Sequence, residues 1–94
     1  MAKPRLTRQE FEDGLACKQT ALRDRSLARR VVAEGLGERA AELGADGDES
    51  NAELLRPMGK RLALGLRLST EDRAAARAEI DIVRDRLTGR EAGA

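Results

Sequence analysis

The chain has no histidine, tryptophan or tyrosine, and only one phenylalanine and one cysteine among its 94 residues. Without histidine, the commonest general base is excluded, along with the serine and cysteine triads that depend on it and most zinc sites. The lone thiol of Cys17 cannot close an internal disulfide and fits a reducing compartment, which makes the cytoplasm the expected location. No segment approaches the roughly 18 uninterrupted apolar residues that cross a bilayer. The start, Met1 to Gln9, also lacks the apolar centre of a signal peptide, so no membrane partner is expected.

Aromatic scarcity bounds the core. With Phe11 alone, burial must come from Leu, Val, Ile and Ala, which give each helix little area at about 25 cal/mol per Å². This predicts that the chain gains further burial from copies of itself or from a larger protein assembly. Charged residues make up 37% of the chain, but 18 basic against 17 acidic side chains nearly cancel, and disorder is favoured by high net charge. The expectation is a folded, all-α protein, a small bundle or extended helices.

Thr7 followed by Glu10 has capping-box spacing and predicts a helix over 8–22, with Phe11, Leu15 and Leu22 on one face. Val32, Leu36, Ala40 and Leu43 form a second stripe, within which Gly35 and Gly37 predict a short break. An acidic loop is expected over 44–50, with Gly44 ending one helix and Ser50 to Glu53 repeating the capping-box spacing. Residues 1–6 and 89–94 read as soft ends, leaving helical segments over 7–43 and 51–88. Between Leu54 and Leu68 two patterns compete. Leu55, Met58, Leu62 and Leu66 have helical spacing, whereas Leu62, Leu64, Leu66 and Leu68 alternate as in a single short strand over 61–68. Ser69 or Thr70, the acids Glu71 and Asp72, the stripe Ala76, Ile80, Val83, Leu87 and a terminal Gly89 predict a helix over 70–88.

No arrangement of residues carries recognisable catalysis, so the chain is read as not an enzyme and as needing no cofactor. Cys17 next to Lys18 is no activated pair, since adjacent helical residues point about 100° apart. Asp46, Asp48 and Glu49 imitate the start of a calcium loop, but that motif needs glycine and glutamate where Asn51 and Pro57 stand. The Gly35-Leu-Gly37 step lacks the preceding strand and the lysine of a phosphate loop.

Charge is unevenly placed. Lys18 to Arg30 holds five basic residues against Asp24; Glu42 to Glu53 holds five acidic and none basic; Arg56 to Arg67 holds four basic and none acidic. Lys18, Arg23, Arg25, Arg29 and Arg30, with Arg61 and Arg67, are the candidate nucleic-acid contacts, and pairing with the acidic loop is the competing fate of such side chains. Phe11, Leu15, Leu22, Ile80, Val83 and Leu87 are the candidate partner interface. The leading expectation is a non-catalytic helical interaction module, an adaptor, regulator or small subunit. The alternative is a DNA-binding regulator using the basic helix face or a 61–68 ribbon.

The run from Lys60 to Asp72 with its following helix resembles the opening strand and first helix of ribbon-helix-helix repressors, over less than a third of the chain. That resemblance implies Arg61, Ala63, Gly65 and Arg67 facing the DNA groove, and it departs at Gly89, where the family has a second helix. Phe11-Glu12 and Ala28-Arg29-Arg30 resemble the first helices of the zeta inhibitor subunits of alphaproteobacterial ATP synthases. There the spacing differs by one residue, and that family's tryptophan-containing segment has no counterpart.

Overall fold

Thr7 opens the first helix as its spacing indicates: its hydroxyl accepts the Glu10 N–H at 3.0 Å, and the Glu10 carboxylate accepts the Thr7 N–H at 2.8 Å. The computed structural model describes residues 5–19 and 27–89, which form α1 (Arg8–Leu15), α2 (Leu27–Ala45), α3 (Glu49–Ala63), α4 (Thr70–Ala75) and α5 (Arg77–Thr88). The all-α class holds, and no strand occurs among the described residues.

Three helices end the same way, and each of those ends corrects the sequence reading. In each, a residue in the left-handed region donates its N–H three residues back and its successor donates five back, which satisfies carbonyls the helix leaves open. At α2 the residue is Gly47, so the helix runs through Gly44 and the acidic loop contracts to Asp46–Asp48. At α3 it is Gly65, with Gly65 N–H on the Leu62 carbonyl and Leu66 N–H on the Arg61 carbonyl. The leucine alternation over 61–68 is therefore a helix end followed by an extended link, and the strand reading is withdrawn. At α1 it is Cys17, with φ 59°, a conformation that costs a side-chain-bearing residue roughly 1–2 kcal/mol. The helix expected over 8–22 stops at Leu15 as a result.

The second helix is the axis of the fold. It buries Ala28, Val31, Val32, Ala33, Leu36, Ala40 and Leu43, packing most extensively on α3, then on α1 and α5. The break expected at Gly35 and Gly37 is absent because α5 crosses there: a Cβ at Gly35 would lie 2.9 Å from Val83 Cγ1. The packing allowed by the missing side chain outweighs the roughly 1 kcal/mol by which glycine weakens a helix. Asp48, rather than Ser50, caps α3 by accepting the Asn51 N–H. Ser69 caps α4 by accepting the Asp72 N–H.

The helix expected over 70–88 bends at Ala76. The bonds from Ala76 N–H to Asp72 and from Ile80 N–H to Ala76 are kept, so the chain turns without opening. Helix α4 buries nothing; beyond the bend, Ile80 and Val83 lie on the core. Gly89 ends α5 in the left-handed conformation, as its position indicates.

Phe11 and Leu15 of α1 meet the α2 stripe, Ala52, Leu55, Met58 and Leu62 of α3, and Ile80 and Val83 of α5 in one core. Its radius of gyration, 12.5 Å, is that of an ordinary domain of this length, for which about 12 Å is typical. One copy thus closes the core that the aromatic-poor composition was expected to leave incomplete. The helices approach closely enough for small side chains to suffice.

Ion pairs fasten α2 to α5. Arg39 Nε donates to Glu79 at 2.6 Å between largely covered side chains, and Arg86 donates to Glu42 at 2.8 Å. The bonds from Arg86 first, and then from Arg39, hold the Glu42 carboxyl below its ordinary value of 4.5. A depressed folded-state value contributes stability above the unfolded pKa and loses it as pH falls through the folded one. Glu42 is half exposed, so solvent screens the effect. We expect Glu42→Gln to lose less stability than the parent between about pH 6 and about pH 3, measured by urea titration at each. Parallel losses would show that the bridge contributes nothing.

Candidate functional site

The residues expected to meet a partner are mostly inside the molecule. Phe11, Leu15, Ile80 and Val83 are buried in the chain's own core, and Leu87 is half-buried against it. That part of the expected interface is corrected: the stripes satisfy one another within a single copy. Leu22, Arg23 and Arg25 lie outside the described residues.

The acidic segment is neutralised by other arginines than those of the first basic cluster. Glu42 holds Arg39 and Arg86, while Glu49 and Glu53 hold Arg56. Arg29 of the first cluster and Arg61 of the second instead lie at the turn that faces the end of α1. Cys17 Sγ donates to the Leu66 carbonyl at 3.1 Å, joining the α1 terminus to the link after α3. Burial raises the Cys17 pKa, and the fields of Arg29, Arg67 and Arg61 act in the opposite direction. The net result is a protonated thiol at neutral pH, suited to donating this hydrogen bond and unsuited to nucleophilic attack.

Arg29 stands in the first turn of α2, a turn without an acidic residue. Its Nη1 lies 3.2 Å from where a Cβ on Gly65 would be, and its Nε is buried without a hydrogen-bond partner. Arg61 reaches across the turn, its Nε and Nη2 donating to the Arg67 carbonyl at 3.1 and 2.8 Å. Arg61 and Arg67 are exposed, and Arg29 is half-buried behind them. Lys18 and Arg30, of the same sequence cluster, are exposed.

Sequence reasoning missed the apolar part of this region. Leu64 is 76% exposed and Leu66 45%, both on the turn that ends α3. The signal was present in the alternating leucines, more than one helical face can bury, but both competing patterns, helix and strand, used Leu66 as a core-facing position. The turn is held firmly, by Leu64 N–H on the Lys60 and Arg61 carbonyls and by the bonds of Gly65, Leu66 and Arg61 already given.

A groove of about 470 Å³ lies elsewhere, between α1 and the α4–α5 bend, lined by Glu12, Leu15, Arg73, Ile80 and Arg84 among others. Its charges are largely paired, Arg73 with Glu12 at 3.0 Å and Arg84 with Asp81 at 3.2 Å. Among the described residues, no three Cys, Asp or Glu side chains are grouped to hold a metal ion, and no helix is long and apolar enough to cross a membrane. Comparison with known protein families, curated proteins and solved structures finds no match to this chain.

Proposed function

We propose that the chain is a non-catalytic protein–protein interaction module that docks a partner protein on the turn carrying Leu64 and Leu66. One observation carries this reading: the two most exposed large apolar side chains among the described residues share one firmly bonded turn within a segment that has Arg56, Lys60, Arg61 and Arg67 and no acid. Covering a fully exposed leucine contributes about 1.5–3 kcal/mol, enough for two of them to anchor a small interface.

The partner is a different protein rather than a second copy. A two-fold contact through this face would set Lys60, Arg61 and Arg67 against their own counterparts, and like charges brought together oppose association. The complementary surface is a segment with apolar side chains flanked by carboxylates.

Selection from random displayed peptides tests this directly. Peptides rich in Leu, Phe or Trp next to Asp or Glu are expected to be enriched, and Leu64→Ser/Leu66→Ser is expected to weaken them by about 100-fold, the loss of two leucine contacts. Enriched peptides that bind the double variant as well as the parent would overturn the reading, as would a selection that enriches nothing. So would a light-scattering mass showing a dimer that the double variant abolishes.

A further inference from the structure

The arginines beside this turn pose a separate problem. Arg29, Arg61 and Arg67 come from two segments far apart in sequence and meet at one turn: Arg29 Nη1 lies 3.2 Å from where a Gly65 Cβ would be, Arg61 donates to the Arg67 carbonyl, and Arg67 is exposed beside them. The acidic segment lies toward the other ends of α2 and α3, where Glu42, Glu49 and Glu53 are engaged with Arg39, Arg86 and Arg56. Among the described residues, no carboxylate makes a hydrogen bond or ion pair with Arg29, Arg61 or Arg67. Behind the other two, Arg29 is half-buried, its Nε enclosed and without an acceptor and its Nη1 beside Gly65. Arg29 also sits in the first turn of a 19-residue helix, where the backbone adds positive potential, and that turn holds no acidic side chain.

We propose that Arg29, Arg61 and Arg67 form a binding site for a doubly charged oxyanion of the phosphate class, with Arg29 as its floor and the two exposed arginines as its rim. Three fixed positive charges favour a dianion over a monovalent carboxylate. Planar guanidinium groups, offering paired N–H donors, suit the several oxygens of a tetrahedral anion. Arg29 meets the anion through its Nη groups, of which Nη1 lies beside Gly65, while its enclosed Nε stays behind them. Arg61, already anchored to the Arg67 carbonyl through Nε and Nη2, keeps Nη1 for the ligand. Cys17 contributes position alone: its bond to the Leu66 carbonyl ties the end of α1 to the turn and so holds the α3 link beside the start of α2. The site does not depend on Leu64 or Leu66, and it stands whether or not the turn docks a protein.

The test follows the intact protein by proton–nitrogen correlation spectra, including the arginine Nε–H resonances, through titrations with inorganic phosphate, sulfate and acetate at matched ionic strength. Phosphate is expected to shift Arg29 Nε–H and the Gly65 and Leu66 amides saturably, with a Kd of about 1 mM, while acetate is at least about tenfold weaker. Sulfate should follow phosphate, since both are tetrahedral dianions. Arg67→Gln and Arg61→Gln, on exposed side chains that the core does not use, are each expected to weaken phosphate about tenfold, the value of one charge-assisted bond. Leu64→Ser/Leu66→Ser should bind phosphate like the parent, which separates this site from the docking turn. Equal shifts with acetate and phosphate would reduce the effect to ionic screening and overturn the site. Arg67→Gln and Arg61→Gln that both bind as the parent does would overturn it too.

Discussion

Replacing Phe11 by alanine is expected to cost about 3–5 kcal/mol, the range for truncating a fully buried phenylalanine. Phe11 is the only aromatic side chain and is 0% exposed, sitting where α1 meets α2. A domain of this size holds about 5–14 kcal/mol of stability in all, so the loss takes a large share of it. The helix that carries Phe11 is only eight residues long and cannot persist in water without its contacts. Urea titration followed by circular dichroism should show a much lower midpoint in Phe11→Ala. The Cys17 thiol should also react faster with an alkylating reagent, since undocking α1 frees it from Leu66. A midpoint close to the parent's would mean that α1 lies loosely on the core and that Phe11 does not hold it there.

The parts of this fold legible in the sequence are those whose cause is local. The box of Thr7 and Glu10, the cap at Ser69 and the stop at Gly89 each need residues only a few places apart, and the structure places each where spacing indicates. The failures share a different cause. Nothing near Cys17 in sequence marks a helix end, because the left-handed turn there has no glycine, and its partner, the Leu66 carbonyl, lies far along the chain. Likewise Gly35 looks like a breaker until Val83 arrives from α5 to fill the space it leaves.

The candidate site divides in the same way. Composition shows that Lys18 to Arg30 and Arg56 to Arg67 are basic; that Arg29 and Arg61 meet at the Gly65–Arg67 turn depends on how α2 and α3 pack. Phe11, Leu15, Ile80 and Val83, expected at a partner interface, lie in the core for a related reason. Period and spacing identify which side chains share a face, but the same stripe serves an internal core or an external partner, and only the packing decides between them.

Gly14 gives the sharpest test of that packing, because local and tertiary effects predict opposite signs. In a helix interior, glycine to alanine ordinarily stabilises by about 0.5–1 kcal/mol, through propensity and a less flexible unfolded chain. Gly37 meets that condition: a Cβ there has nothing within 4 Å, so Gly37→Ala is expected to raise stability by about that amount. A Cβ on Gly14 would instead stand 2.8 Å from both the carbonyl carbon and oxygen of Ala28, and 3.1 Å from the Arg29 nitrogen. These are backbone atoms of the central helix, which cannot retreat without disturbing Val32 and Leu36 behind them. The remaining way to relieve the contact is for α1 to lift off, which unseats Phe11 and Leu15. Gly14→Ala is therefore expected to destabilise by about 2–4 kcal/mol, between the cost of overpacking and that of losing Phe11. If both substitutions act by releasing α1, their costs cannot add. Phe11→Ala/Gly14→Ala should fall short of the sum by at least about 1 kcal/mol, the coupling expected of residues serving one contact. A Gly14→Ala variant as stable as Gly37→Ala would show that α1 does not press on α2 as closely as these distances require.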